Sequence, residues 1–241
     1  MEKQRLDKII ASTGRFSRRE VKDLIRQGLV LVDGVPAQSS QDKADPEMAE
    51  IAVGGEVLTY RRYTWVMLNK PAGYLSATED GRGPTVLDLL PEELRRQGLF
   101  PVGRLDKDTE GLLLLTNEGG LAHDLLSPRH HVDKEYYVEV AGRLTEADCR
   151  AFARGLSLGD GLECKSAELE LLEDGSRAHV TLREGKFHQV KRMMASRGTP
   201  VTYLERVRMG NLHLDPALAR GAFRFLTAKE VEDLREISTS L

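Results

Sequence analysis

An α+β fold is the class that this 241-residue sequence predicts. Three observations carry that expectation. Segments of strand character alternate with amphipathic helices, but without the regular spacing of strand–helix–strand units. Two short turns, Asp33-Gly34 and Gly54-Gly55, sit between apolar runs and mark hairpins, hence antiparallel pairing. The composition also changes near Tyr60-Arg61-Arg62-Tyr63, where a domain boundary is placed. The expected architecture is a small α+β module over 1–60 followed by a larger α+β domain over 61–241, built on a mixed, mostly antiparallel sheet.

In the first module, Leu6, Ile9 and Ile10 have helical spacing. Ser17-Arg18-Arg19-Glu20 has the form of a capping box, in which the serine hydroxyl and the glutamate carboxylate each satisfy a free backbone N–H. Val21, Leu24 and Ile25 then form an apolar stripe, and Gly28 is a natural stop. Residues 29–32 and Val35 read as strands around the first turn, and 51–53 and 56–58 as strands around the second. Residues 39–50 are polar and read as a loop.

In the larger domain, Trp65-Val66-Met67-Leu68-Asn69 reads as a strand stopped by Lys70-Pro71-Ala72-Gly73. Residues 85–90 begin a short helix, and 100–104 read as a strand leading into the polar loop 105–110. Gly111-Leu112-Leu113-Leu114-Leu115-Thr116 is a continuous apolar run, the pattern of a strand covered on both faces. Asn117 is expected to cap a helix through Leu121, Leu125 and Leu126. Residues 136–140, 167–172 and 178–182 read as strands, and 145–155 and 187–197 as helices.

The composition is that of an ordinary globular chain, 40% hydrophobic and 30% charged. No apolar run approaches the roughly 20 residues that span a bilayer. The charged N-terminus lacks an export signal. Cys149 and Cys164 fit a reducing cytoplasm rather than a disulfide framework. The net charge of −3 speaks against a polyanion partner, but the distribution speaks for one. Residues 1–26 hold eight Lys/Arg against four Asp/Glu, and residues 183–208 hold seven against two. Two basic patches on a mildly acidic chain suit a polyanion held at chosen places, and they equally suit two solvated helix faces.

The stretch with most chemistry is Gly103-Arg104-Leu105-Asp106-Lys107-Asp108-Thr109-Glu110-Gly111, with three carboxylates and two cations ahead of a buried strand. On residue types alone it is either a catalytic loop or a charged turn. Asp106 and Asp108 could be an acid/base pair of glycosidase type. Their neighbours supply cations, however, and not the apolar pocket that would raise one pKa. Asp108 and Glu110 are expected to hydrogen-bond within the loop. His123, His130, His131 and His188 lack a convincing third partner for a metal. There is no P-loop and no GxGxxG, so no nucleotide cofactor is expected. His188, Lys191 and Arg192 share one helix face, with Val190, Met193 and Met194 on the core side.

The loop from Gly103 to Asp106, continuing Asp108-Thr109-Glu110-Gly111-Leu112-Leu113-Leu114, resembles the catalytic motif of the RsuA/RluA superfamily of pseudouridine synthases. Leu68-Asn69-Lys70-Pro71-Ala72-Gly73-Tyr74 resembles the motif before it. Lys134-Glu135-Tyr136 resembles the family's tyrosine motif. Glu184-Gly185-Lys186-Phe187-His188-Gln189-Val190-Lys191-Arg192-Met193 resembles its third motif. All four occur in family order over 65–228, and residues 1–60 resemble the S4 RNA-binding module that precedes many members. The resemblance implies an enzyme that isomerises uridine in ribosomal RNA without a metal or cofactor. It implies that Asp106 is the essential aspartate, Tyr136 the tyrosine packed on the base and Lys191 the basic residue near the aspartate, which is Arg in some branches. Arg104 matches the arginine just upstream. A nearby ammonium favours an ionised carboxylate, as either nucleophilic attack or proton abstraction requires.

Arg15, Arg18, Arg19, Lys22 and Arg26 are expected to line one side of the capped helix and dock on RNA phosphates. His188 and Arg192 are added as RNA contacts. Ser127-Pro128-Arg129-His130-His131, together with the third motif, is closer to the branch acting on small-subunit (16S) RNA. Large-subunit (23S) RNA is the alternative substrate, and a non-catalytic S4-type assembly factor the alternative class. The implied partner is ribosomal RNA or a small-subunit assembly intermediate, met in the cytoplasm by a monomer with no membrane association.

Overall fold

The computed structural model describes residues 3–81, 83–127 and 132–239. The chain forms two compact units, one of Met1–Thr64 with Leu90–Leu99, the other of Trp65–Leu89 with Phe100–Leu241.

The first unit contains β1 (Gln4–Arg5), α1 (Leu6–Ser12), α2 (Arg18–Arg26), β2 (Val30–Val32), β3 (Val35–Pro36), β4 (Lys43–Ala44), β5 (Ile51–Val53), β6 (Glu56–Val57) and the single turn α3 (Glu92–Arg95). The capping box forms as expected: Glu20 N–H donates to Ser17 Oγ, and Ser17 N–H donates to the Glu20 carboxylate. Asp33 and Gly34 both take positive φ, 51° and 78°, which is what a two-residue hairpin turn of right-handed strands requires. The four-stranded sheet runs β3-β2-β5-β6, all antiparallel. Leu6, Ile9, Ile10, Val21, Ile25 and Val30 form the centre of its core with Ile51 and Val53. Within the polar stretch 39–50, Lys43 and Ala44 pair with Arg5 and Gln4, a short ladder too brief to leave a periodic signal.

The second unit contains β7 (Trp65–Lys70), a 3₁₀ turn Val86–Leu89, β8 (Phe100–Pro101), β9 (Glu110–Thr116), α4 (Gly119–Leu126), β10 (Lys134–Val140), α5 (Glu146–Arg154), β11 (Leu156–Ser157), β12 (Glu163–Cys164), β13 (Glu168–Leu172), β14 (Arg177–Leu182), α6 (Gln189–Ser196), β15 (Val201–Met209), β16 (Leu212–His213), β17 (Phe223–Phe225) and α7 (Ala228–Thr239). Its mixed sheet has the order β13-β14-β10-β15-β9-β7-β17, with β16 beside β15 and β8 beside β9. Only β15–β9 is parallel; the other pairs are antiparallel. β7 is buried throughout and β9 from Gly111 onward, which explains their continuous apolar runs. One cluster joins β10, β14, α5 and α6 through Val138, Val180, Phe152 and Met193, and another joins β7, β9, α4 and α7 through Met67, Leu114, Leu125 and Leu234.

The structure departs from three expectations. The strand read over 100–104 is paired only at Phe100 and Pro101, because the chain then leaves the sheet for the loop before β9. The N-cap of α4 is Glu118, not Asn117, and it makes no side-chain cap. The helix read over 187–197 begins at Gln189, since His188 at its N-cap is left-handed, φ 50° and ψ 32°. Residues 128–131 of the small-subunit-type signature lie outside the described residues. No helix among the described residues is long and apolar enough to cross a membrane.

Candidate active site

The loop between β8 and β9 is positioned from beneath by Lys70, the last residue of β7. Lys70 is wholly buried. Its ammonium donates to the carbonyls of Pro71, Asp106, Lys107 and Thr109 at 2.8–3.2 Å. Burial pulls it down to about 8, and the carboxylates of Glu110, Asp108 and Asp106 oppose that fall. Ser76 Oγ donates to the Leu105 carbonyl and accepts from the Leu105 N–H. Gly73 N–H donates to the Lys107 carbonyl at 2.7 Å. Both sides of the Asp106 backbone are therefore pinned by the segment 70–76, which carried a motif but no assigned role in the sequence.

The loop ends at Gly111, φ +94°, where β9 meets β15 in parallel. A Cβ there would stand 2.3 Å from the Arg206 carbonyl oxygen, so only glycine allows the two backbones this close.

Asp106 carries its carboxylate to the rim of an open pocket. Lys191 Nζ, from α6, stands 3.1 Å from Oδ2, and His188 Nε2 stands 3.5 Å from Oδ1. The structure thus brings Asp106 and Lys191 together. Lys191 also donates to Asp108 Oδ1 at 2.5 Å. Burial pulls the Lys191 ammonium down, but the hydrogen bonds to Asp108 and Asp106 outweigh it, and its proton is held above the usual lysine value. The same bond holds the Asp108 carboxyl below the usual aspartate value.

Leu105, Leu182, Val190 and Leu204 line the pocket together with Tyr136, which stands on β10 opposite Val180 and Arg206. Arg104, also on the pocket wall, is exposed and has no ion-pair partner among the described residues. The arrangement is a slot with an apolar wall and a polar one, the latter carrying Asp106, Glu184, Arg104 and Lys186, and it suits a flat, neutral ring attached to a polyanion.

The expectation that Asp108 and Glu110 bond within the loop is not met. Asp108 points out to Lys191. Glu110 accepts from Ala72 N–H at 3.2 Å and Tyr203 Oη at 2.9 Å, and pairs with Arg220 at 3.1 Å. It ties the loop to β15 and to the segment before β17. Arg192 turns away from Asp106 as well: it pairs with Asp160 and donates to the Phe187 carbonyl.

In the first unit, Arg18, Arg19, Lys22 and Arg26 fall within an arc of about 100° on α2, at roughly 100° per residue, and all are exposed. Arg15 precedes the helix and pairs with Glu56, while Arg26 pairs with Asp23. Among the described residues Arg18, Arg19 and Lys22 have no ion-pair partner.

Known proteins resemble this chain in both of its parts. Residues 64–196 match the family model described as RNA pseudouridylate synthase, and residues 4–59 match the S4 domain. A protein of Bacillus subtilis named as an uncharacterized RNA pseudouridine synthase, YtzG, is 47% identical over 96% of this chain and 98% of its own length. Ribosomal small subunit pseudouridine synthase A of Escherichia coli K12 is 39% identical over 94% of this chain and 98% of its own. A crystal structure of a pseudouridylate synthase superposes with a TM-score of 0.67 at 38% identity, covering 96% of this chain and 99% of that one.

Proposed function

Because the chain belongs to the RNA pseudouridylate synthase family, we propose that it isomerises one uridine of small-subunit ribosomal RNA to pseudouridine, with Asp106 as the reacting carboxylate. The observation that carries this reading is the Asp106 carboxylate, set between Lys191 and His188 at the rim of a slot walled by Tyr136 and apolar side chains.

In the reaction the C1′–N1 bond breaks and its electron pair goes to N1. The freed uracil turns, C5 bonds to C1′, the C5 proton leaves and N1 gains a proton. Asp106 either attacks C1′ or removes the C2′ proton, and in both routes it acts as an anion. Lys191 is its counter-ion. Tyr136 and the apolar wall hold the extruded base, so that it turns without leaving. Arg104 offers a cation to the adjoining phosphates. Residues 1–60 serve as the RNA-binding module and 61–241 as the catalytic domain. The module grips the backbone through the exposed cations of α2, with His188 and Arg192 as further RNA contacts. The substrate is ribosomal RNA or a small-subunit assembly intermediate, met in the cytoplasm by a monomer.

The test is to incubate the protein with ribosomal RNA lacking pseudouridine and to map modified positions by carbodiimide-dependent primer extension. One new stop in small-subunit RNA is expected. Stops confined to large-subunit RNA would move the chain to a different substrate, and none in either RNA would end the reading.

A further inference from the structure

The segment joining β14 to α6 carries an aromatic that neither the core nor the carboxylate uses. Phe187 is 75% exposed, the most exposed large apolar side chain among the described residues of the second unit. Its ring lies flat on the imidazole of His188, centroids 3.8 Å apart and planes at 17°. That imidazole is the one whose Nε2 stands 3.5 Å from Asp106.

The two-ring tier is held rather than loose. His188 sits in the left-handed region, which a residue with a Cβ rarely adopts unless its surroundings impose it. The surroundings do so here. Lys186 N–H donates to Gln189 Oε1 at 3.0 Å, and Gln189 Nε2 donates to Glu184 at 2.5 Å. Arg192 Nη1 donates to the Phe187 carbonyl at 3.3 Å. The backbone is thus fixed on both sides of a ring that remains mostly in water. Arg104, exposed on the wall of the neighbouring pocket, supplies positive charge beside it, while Lys186 on the same wall is paired with Glu184 at 3.2 Å.

We propose that Phe187 is a stacking platform for an unpaired RNA base that directly flanks the target uridine; this rests on the pseudouridine synthase reading above. Drawing a uridine into the pocket strips its neighbours of a stacking partner. A fixed aromatic beside the pocket restores one, whatever the base, because every base has a π-face. Phe187 does not touch the reacting atoms. It is a positioning residue acting through the RNA, and it changes affinity more than the rate at saturation.

The test compares wild type with Phe187→Ala, Phe187→Tyr and Phe187→Trp. The substrates are an RNA containing the target uridine and the same RNA with an abasic residue at each flanking position. Affinity, single-turnover rate at saturating RNA and melting temperature are read. Phe187→Ala should weaken binding roughly tenfold, the effect of removing one base–aromatic stack. Its melting temperature and saturated rate should stay near wild type, and Trp and Tyr should restore affinity. An abasic residue at one of the two flanks should erase the difference between wild type and Phe187→Ala. Unchanged affinity in Phe187→Ala, on an RNA that wild type modifies, overturns the inference alone. So does an equal loss on intact RNA and on both abasic RNAs, since the ring would then serve only to hold His188. If wild type makes no pseudouridine in any ribosomal RNA, the underlying reading falls and this inference falls with it.

Discussion

Lys191 has two carboxylates to serve, and their exposure separates their roles. Asp106 is 26% exposed at the pocket rim, whereas Asp108 is 75% exposed on the outer side of the ammonium. An amide at position 106 keeps the shape but can neither attack carbon nor take a proton. Asp106→Asn should therefore cut single-turnover pseudouridine formation by more than about 100-fold while RNA binding persists. Asp108→Asn should cost no more than about fivefold, because an exposed ion pair contributes about 0–1 kcal/mol. Comparable losses from both would show that the pair, and not Asp106, is the chemical unit. The role of Asp106 was open on residue types alone and narrowed only through four ordered motifs. What the sequence could not supply was the sharing of Lys191, because residues 83 positions apart leave no local pattern.

At the scale of elements, the loop and its strand are inseparable, and Lys70 is the fastening. A buried ammonium among four carbonyls is replaced in Lys70→Met by a thioether that donates nothing. The Asp106 carbonyl keeps Thr109 N–H and the Lys107 carbonyl keeps Gly73 N–H, so the loss falls on the Pro71 and Thr109 carbonyls. At about 1–3 kcal/mol for each carbonyl left without a donor, the variant should lose about 2 kcal/mol or more in urea unfolding. Its activity should fall with the Asp106 loop displaced. The pH dependence has a definite sign. Burial pulls Lys70 down to about 8 from an ordinary 10.5. Between those values the unfolded chain binds more protons than the folded one, so this group's contribution to stability rises with pH in that window. The difference between wild type and Lys70→Met should show that slope, and a flat difference from pH 8 to 10.5 would deny the burial argument. Helices with caps and strands with continuous apolar runs, such as α2, α5 and β9, were legible in the sequence. β15 was not, although it is the nine-residue strand beside β9 at the centre of the sheet. Its sequence Val201-Thr202-Tyr203-Leu204-Glu205-Arg206-Val207-Arg208-Met209 buries Arg206 and leaves Val207 in a register irregularity against β10, which breaks the alternation a strand normally shows. α7 was likewise missed, since its stripe is sparse and Leu234 is its fully buried anchor.

For the molecule as a whole, the question is how a chain of net charge −3 holds a polyanion. The answer offered by the first unit is separation of charge within one helix. On α2 the apolar stripe of Val21, Leu24 and Ile25 faces the core, and the cationic arc faces water. Arg15 and Arg26 already have carboxylate partners, so a phosphate would have to compete for them. Among the described residues Arg18, Arg19 and Lys22 have no ion-pair partner, and none of the proposed catalytic residues lies in that unit. A cation seated on a phosphate releases counterions, and removing one such cation should lower the slope of log affinity against log salt by roughly one. Replacing Arg18, Arg19 and Lys22 together with Ala should therefore weaken affinity for ribosomal RNA and reduce that slope by about three. Ser17 and Glu20 are untouched, so the capping box and the helix remain. At saturating RNA the single-turnover rate should stay near wild type, because Asp106, Tyr136 and Lys191 are unchanged. Filter binding across a salt series, paired with rates at saturation, separates the outcomes. An unaltered slope would make the cationic arc a solvated face with no part in docking. A rate that collapses even at saturation would mean that the grip on RNA helps to shape the reacting complex.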